Sequence, residues 1–111
     1  MSLIPANSET FEQEVLKSDI PVLVDFYATW CGPCTLTMGH LSAMLSERNG
    51  DIKIVKIDVD ESRELAQRYN VKGIPTLILF QNGVPADARL NGFSDKRRLH
   101  NYVDDVFNGQ V

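Results

Sequence analysis

The sequence predicts a three-layer α/β fold, in which a central mixed β-sheet of four to five strands is flanked by about four helices. Two patterns lead to this prediction. Apolar segments of strand length alternate with segments of helical periodicity, which indicates a βαβ unit with parallel strands. An Asn82-Gly83 step between two later strand patterns predicts a tight hairpin and therefore antiparallel neighbours. A crossover and a hairpin within one sheet require that the sheet be mixed.

The first half of the chain predicts a helix, a strand and a second helix. Asn7 or Ser8 can cap the first helix, which we expect to end near residue 17. Residues 22 to 27 are apolar at nearly every position, as in a strand covered on both faces. The second helix is expected over residues 34 to 48, with Asn49-Gly50 as its stop signal. The side chains expected to face the core are Phe11, Val15 and Leu16 in the first helix and Met38, Leu41, Met44 and Leu45 in the second.

The second half predicts a strand over residues 52 to 59, which completes the βαβ unit, and a short helix over residues 61 to 69. Residues 76 to 80 predict a further buried strand, and the hairpin is expected to return through a strand around residues 87 to 90. Gly92 interrupts this pattern, and the last helix is expected to open at Ser94 or Asp95. Its inward side chains are Leu99, Tyr102, Val103, Val106 and Phe107.

The composition favours one small domain. The chain has 111 residues, of which 43% are hydrophobic, and this suffices for a single core over residues 1–111. Lys and Arg number 11 against 15 Asp and Glu, and no basic run could follow a phosphate backbone, so we expect no nucleic-acid partner. The start of the chain lacks a basic stretch followed by a long apolar one, and no later segment has membrane-spanning length. We therefore expect a cytoplasmic monomer without a membrane partner.

The segment Trp30-Cys31-Gly32-Pro33-Cys34 contains both cysteines of the chain and follows the first strand. Two thiols at this spacing can close as a disulfide or open as a dithiol, and so can exchange two electrons with another disulfide. A structural staple is the weaker interpretation, because so short a loop gains least from closure. A structural zinc site needs four ligands, whereas the chain adds only the scattered His40 and His100. We therefore expect redox chemistry and no bound metal.

Roles for the two cysteines follow if a helix begins at this motif. Cys31 would then lie at the N-terminal end, where free backbone N–H groups and the positive end of the helix dipole favour a thiolate. Because a thiolate attacks disulfides, Cys31 is the expected nucleophile and Cys34 the resolving residue. Gly32 lets the backbone turn, and Pro33 fits a position early in the helix, where no N–H is needed.

Over essentially its whole length the sequence resembles the thioredoxin family. The motifs that carry the resemblance, in matching order and spacing, are Val24-Asp25-Phe26-Tyr27-Ala28, Trp30-Cys31-Gly32-Pro33-Cys34, Lys56-Ile57-Asp58-Val59-Asp60, Val71-Lys72-Gly73-Ile74-Pro75-Thr76 and Gln81-Asn82-Gly83. The resemblance implies a thiol-disulfide oxidoreductase that reduces disulfide-containing client proteins and is itself reduced by a thioredoxin-reductase-type electron donor. It implies no bound cofactor. The Gly32-Pro33 pair is the one found in reducing members of the family, and it tunes the redox poise.

Asp25 is the only charged residue between Pro21 and Trp30. If it is buried, its pKa is raised and it can pass a proton to or from Cys34; alternatively, it faces solvent at a strand end. The resemblance favours the buried acid. Lys56 is expected on the neighbouring strand, where it either modulates Asp25 or is a solvated charge.

Pro75 directly precedes a buried strand, where its missing N–H is unfavourable. The resemblance implies a cis Ile74-Pro75 bond against the cysteine pair, with the preceding backbone free to pair with an extended client segment. It also implies an apolar docking surface around Cys31. Its expected members are Trp30, Gly73, Ile74, Pro75 and Gly92, and Phe93 belongs either to this surface or to the core.

Two positions depart from the family pattern. Thr35 stands where members usually have a basic residue, and Gly39 stands where they have a proline that kinks the helix. Loss of the cation leaves redox poise and partner choice open, while Gly39 weakens the helix without forcing a kink. His40 and His100 are expected to be ordinary helix residues. Two other functions stay open: a dedicated oxidase, isomerase or maturation reductase, and a binding module whose dithiol reports redox state without turnover.

Overall fold

The computed structural model describes residues 2–109 and contains six strands, a π-helix and three α-helices. The strands are β1 (Ile4–Ala6), β2 (Val22–Tyr27), β3 (Lys53–Asp58), β4 (Thr76–Gln81), β5 (Val84–Pro85) and β6 (Leu90–Asn91). The helices are the π-helix (Glu12–Leu16), α1 (Gly32–Glu47), α2 (Arg63–Arg68) and α3 (Lys96–Phe107). Of these helices, none is both long enough and apolar enough to cross a membrane.

The sheet is mixed, and its strand order is β1-β3-β2-β4-β5. β1 and β2 run parallel to β3, whereas β4 runs antiparallel to β2. β5 and β6 both pair with β4 in antiparallel orientation, so they share one position at the edge of the sheet. The parallel β2–α1–β3 crossover and the β4–β5 hairpin confirm the predicted α/β fold class.

Helices cover both faces of the sheet. On one face, apolar side chains of α1 and α3 pack over Leu23 of β2, and on the other face the π-helix and α2 pack over Val24 and Phe26. Successive side chains of a strand point to opposite faces, so Asp25 shares the face of Leu23. Asp25 therefore lies on the side covered by α1, the helix that begins at the cysteine motif.

The first helical segment is capped as predicted but differs in its hydrogen bonding. Asn7 Oδ1 accepts the backbone N–H groups of Glu9 and Thr10, at 2.9 and 3.1 Å. The chain then forms a π-helix, in which the N–H of Lys17 donates to the C=O of Glu12. The predicted end near residue 17 is confirmed, but the helix does not run continuously from residue 7 or 8.

β1 was not predicted, because three residues with a central proline carry no strand pattern. Pro5 is tolerated there because β1, which pairs with β3, lies at the edge of the sheet formed by residues 2–109. β1 is therefore stabilised by its parallel pairing with β3 and not by a local preference of its residues for the strand conformation.

The Asn82-Gly83 turn is confirmed. Both residues have positive φ angles, 53° and 78°, as a two-residue hairpin turn requires. A Cβ atom on Gly83 would lie 2.9 Å from the carbonyl oxygen of Leu16. The turn thus packs too closely against the π-helix end for any residue with a side chain.

The predicted return strand over residues 87 to 90 is wrong in its bounds, because the chain returns as two short strands separated by an irregular segment. A side chain of α3 explains the gap. The hydroxyl of Tyr102 accepts the N–H of Leu79 at 3.1 Å and donates to the C=O of Ala88 at 2.7 Å, in place of a direct strand pairing. α3 itself begins as predicted, since Asp95 accepts the N–H of Arg98 at 2.9 Å.

Candidate active site

The two cysteines lie at the start of α1, just beyond the carboxyl end of β2. They form a disulfide, with their Cα atoms 5.3 Å apart. Cys31 is the N-cap residue of α1, and its Sγ accepts the backbone N–H of Cys34 at 3.2 Å. The sulfur of Cys31 therefore lies at the positive end of the helix dipole, which favours a thiolate when the disulfide is open.

The two cysteines differ in exposure. Cys31 is 6% exposed, whereas Cys34 is completely buried. Gly32 and Pro33, the first two residues of α1, are exposed between them. The helix thus starts two residues earlier than predicted, and Pro33 occupies its first turn, where a missing N–H leaves no bond unmade.

Asp25 is fully buried, and neither of its carboxylate oxygens has a hydrogen-bond partner among residues 2–109. Burial raises the pKa of Asp25 from 3.8 to about 7, and the positive charge of Lys56 opposes this rise in part. The alternative of a solvent-facing carboxylate is therefore excluded. A carboxyl group with such a pKa can take up or release a proton near neutral pH.

Lys56 lies directly opposite Asp25 in the pairing of β2 with β3. Its side chain is partly buried, and Nζ is 5.7 Å from the centroid of the Tyr27 ring, a cation–π distance. The positive charge of Lys56 lowers the pKa of Asp25, against the larger effect of burial.

The Ile74-Pro75 peptide bond is cis, as the resemblance implied. The carbonyl oxygen of Pro75 accepts the N–H of Gly92 at 2.8 Å, and Gly92 has a φ of 80°, which favours glycine. Ile74 packs with the two cysteines in one apolar cluster. β4 begins at Thr76, so the peptide groups of Ile74 are not used by the sheet.

Trp30 is 71% exposed, which excludes the core. Its Nε1–H donates to Oδ2 of Asp60 at 2.8 Å, and this bond orients the indole. No local pattern marks Asp60 for this role, although β2 and β3 are parallel and the residues after their carboxyl ends meet at one sheet edge. A cavity of about 250 Å³ opens here, lined by Trp30, Val59, Ala66, Val71, Lys72, Gly73 and Ile74.

The structure brings the other expected docking residues to the same place. Gly73 and Ile74 also line a second cavity, of about 530 Å³, together with Gly92. Gly73 and Ile74 therefore link the Trp30 side of the site to the Gly92 side. Phe93 is 44% exposed, which excludes the core, and it directly follows Gly92 in the chain.

The two departures from the family pattern lie on the exposed side of α1. Thr35 is exposed, with Oγ1 3.4 Å from the carbonyl oxygen of Cys31. A Cβ atom on Gly39 would meet no atom within 4 Å beyond its chain neighbours and the adjacent backbone of α1, and α1 continues through it from Gly32 to Glu47. In the described part of the chain, no group of three or more His, Cys, Asp or Glu side chains is placed to hold a metal ion.

Both histidines make contacts between α1 and the chain in or just before α3. His100 on α3 contacts the end of α1, where Nε2 is 2.9 Å from Glu47 Oε1 and Nδ1 is 3.1 Å from Arg48 Nη1. An arginine only donates, so Nδ1 accepts and Nε2–H donates to Glu47. This agrees with the expectation of an ordinary helix residue. His40 is half-buried between α1 and the segment before α3.

Comparison with known proteins agrees with this geometry. The sequence model of the Thioredoxin family matches residues 2–105. Thioredoxin 1 of a Nostoc species is 46% identical over 78 residues, covering 70% of this chain and 73% of that protein. The thioredoxin of Mycobacterium bovis is 43% identical over 93% of this chain and 88% of its own length, and that of Pseudomonas aeruginosa is 38% identical over 92% and 94%. The chain therefore belongs to the thioredoxin family of thiol-disulfide oxidoreductases.

Proposed function

We propose that this chain is a protein-disulfide reductase in which Cys31 is the nucleophile and Cys34 the resolving residue. The difference in exposure between the two cysteines carries this assignment, since a client disulfide must reach the attacking residue and Cys34 is completely buried. The position of Cys31 at the N-terminus of α1 supports it, because the helix dipole stabilises the attacking thiolate.

The reaction transfers two electrons. The Cys31 thiolate attacks one sulfur of the client disulfide, forming a mixed disulfide and releasing the other client sulfur as a thiolate, which takes a proton from solvent. Cys34 then loses its proton and attacks the sulfur of Cys31. This step forms the Cys31–Cys34 disulfide and releases the second client sulfur as a thiolate, which takes a proton from solvent. The client disulfide is reduced and the Cys31–Cys34 dithiol is oxidised.

We propose that Asp25 accepts the proton of Cys34 in the second step. Three observations support this role: Asp25 is buried, it shares the α1 side of the sheet, and its pKa is about 7. Lys56 tunes this acid by favouring its charged form. Gly32 and Pro33 tune the dithiol by setting the backbone between its two sulfurs.

Client binding is proposed for the surface around Cys31. Its members are Trp30, Gly73, Ile74, Pro75 and Gly92. The unused peptide groups of Ile74 can pair with an extended client segment, while the adjoining cavity accepts an apolar side chain. The exposed Trp30 supplies aromatic contact area on one side of the sulfur.

We further propose a single domain over residues 1–111 that acts as a cytoplasmic monomer. A thioredoxin-reductase-type donor returns the disulfide to the dithiol, and no bound cofactor takes part. A reducing compartment suits this direction, because thiols are kept reduced there. The formal charge of −4 supports the absence of a nucleic-acid partner.

Turnover of insulin disulfides with dithiothreitol as electron donor tests the function. We expect acceleration over buffer, and its absence would leave only a binding module. Cys34→Ser should trap client proteins as mixed disulfides through Cys31, and trapping by Cys31→Ser instead would reverse the roles. Equilibration with glutathione separates a reductase from an oxidase or isomerase, because a reductase stays oxidised in a more reducing buffer.

A further inference from the structure

Two side chains of α1 bind the backbone segment that leads into α3. Thr37 Oγ1 accepts the N–H of Ser94 at 3.2 Å, and His40 Nδ1 accepts the N–H of Lys96 at 3.1 Å. Thr37 is completely buried and His40 half-buried. The two acceptors are three residues apart and so lie on one face of α1.

These hydrogen bonds hold Phe93. Gly92, on one side of it, donates to the carbonyl oxygen of Pro75, and Ser94, on the other side, donates to Thr37. The Phe93 ring packs edge to face against the His40 ring, with centroids 5.5 Å apart and planes at 76°. Phe93 is therefore fixed by the backbone on both sides and by one ring contact, yet stays 44% exposed.

We propose that His40, together with Thr37, is a positioning residue for client binding, because it holds Phe93 as the α1-side wall of the docking surface. The proposal rests on the function proposed above. It places Trp30 and Phe93 on opposite sides of the site, with the Ile74-Pro75 segment between them. Clients that present an apolar side chain on the Phe93 side are the preferred substrates.

The physical reason lies in preorganisation. An exposed aromatic ring on a free segment would have to be ordered when a client binds, and that cost would weaken binding. Here the Phe93 ring is already ordered in the folded protein, so client binding does not have to order it. A small disulfide that contacts only Cys31 gains nothing from the wall, whereas a polypeptide client gains contact area. The wall should therefore act on the KM for protein clients and not on the chemistry at Cys31.

The test compares His40→Leu, which removes the acceptor, with His40→Asn, whose Oδ1 lies where Nδ1 was. With insulin as client, we expect His40→Leu to raise KM by about three- to tenfold at unchanged kcat, as for the loss of one partly buried hydrogen bond. His40→Asn should restore most of the wild-type KM. The second-order rate constant with the small aromatic disulfide dithiobis(nitrobenzoate) should be unchanged in both variants.

Phe93→Ala, alone and combined with His40→Leu, gives a double-mutant cycle. If His40 acts through Phe93, the double variant should raise KM no further than Phe93→Ala alone. Thr37→Val, with Thr37→Ser as its control, provides an independent variant if circular dichroism shows that His40→Leu fails to fold. Additive effects of His40 and Phe93, an unchanged KM, or an equal loss with the small disulfide would each overturn the proposal. Failure of the wild-type chain to reduce insulin would instead contradict the proposed function.

Discussion

Asp25→Asn should remove a large, pH-dependent penalty on the stability of the oxidised protein. The substitution keeps the shape of the side chain and removes its ionisation. Because burial raises the carboxyl pKa, the folded protein holds this proton to a higher pH than the unfolded chain does. The wild-type fold therefore loses stability, relative to the variant, as pH rises through the interval between the two pKa values. Below that interval both states are protonated, and the group contributes nothing.

The magnitude follows from the two pKa values. The pKa changes from 3.8 in the unfolded chain to about 7 in the fold. Each pKa unit corresponds to about 1.4 kcal/mol, so the full penalty above pH 7 is about 4 kcal/mol. Within the interval, the difference between variant and wild type should change by about 1.4 kcal/mol per pH unit.

Urea denaturation of both oxidised proteins between pH 4 and 8 measures this difference. We expect the free energy of unfolding of Asp25→Asn, minus that of wild type, to rise by about 4 kcal/mol over this range. The difference in free energy of unfolding should also contain a constant, pH-independent part, because the buried amide of the variant lacks hydrogen-bond partners as well. Asp87→Asn removes an exposed carboxylate and controls for the change in net charge. A difference that stays flat across the range would refute the assignment of Asp25 as a buried acid with a raised pKa.

Three further substitutions test neighbouring features. Lys56→Gln removes the charge that lowers the pKa of Asp25. The stability difference that Asp25→Asn produces should therefore continue to grow to a higher pH in a Lys56→Gln background, and an unchanged upper pH limit would contradict an effect of Lys56 on Asp25. Tyr102→Phe removes the hydroxyl that bridges β4 and the returning chain, and urea denaturation should show a loss of about 1 to 3 kcal/mol. Gly83→Ala should destabilise more than Gly50→Ala, since both have positive φ but only at Gly83 would the Cβ meet backbone; equal losses in thermal unfolding would count against that contact.

Much of the fold could be predicted because its determinants are local. The apolar run of β2, the inward stripes of α1 and α3 and the cap at Asp95 depend on residues close together in sequence. The features that were missed are non-local. β1 exists because β3 offers a parallel neighbour, and the returning strand divides because Tyr102, from a later helix, replaces its pairing.

The candidate site likewise has features that the local sequence predicted and features that depend on distant segments. The Cys31–Cys34 spacing is a property of the sequence and was sufficient to predict dithiol chemistry, whereas the residues left the burial of Asp25 open and only the family resemblance favoured it. The hydrogen bonds from Trp30 to Asp60 and from Lys96 to His40 join segments far apart in the chain. No local pattern marks such contacts, because they depend on how whole elements pack.

The sequence by itself therefore determined which chemistry this protein carries: two cysteines at the end of a buried strand, within the motifs of a family. Tertiary structure decided the rest. Only packing leaves Cys31 reachable while it buries Cys34, and only desolvation under α1 raises the pKa of Asp25 to about 7. Exposure and desolvation are sums over neighbours from many elements, so they exist only once the chain has folded.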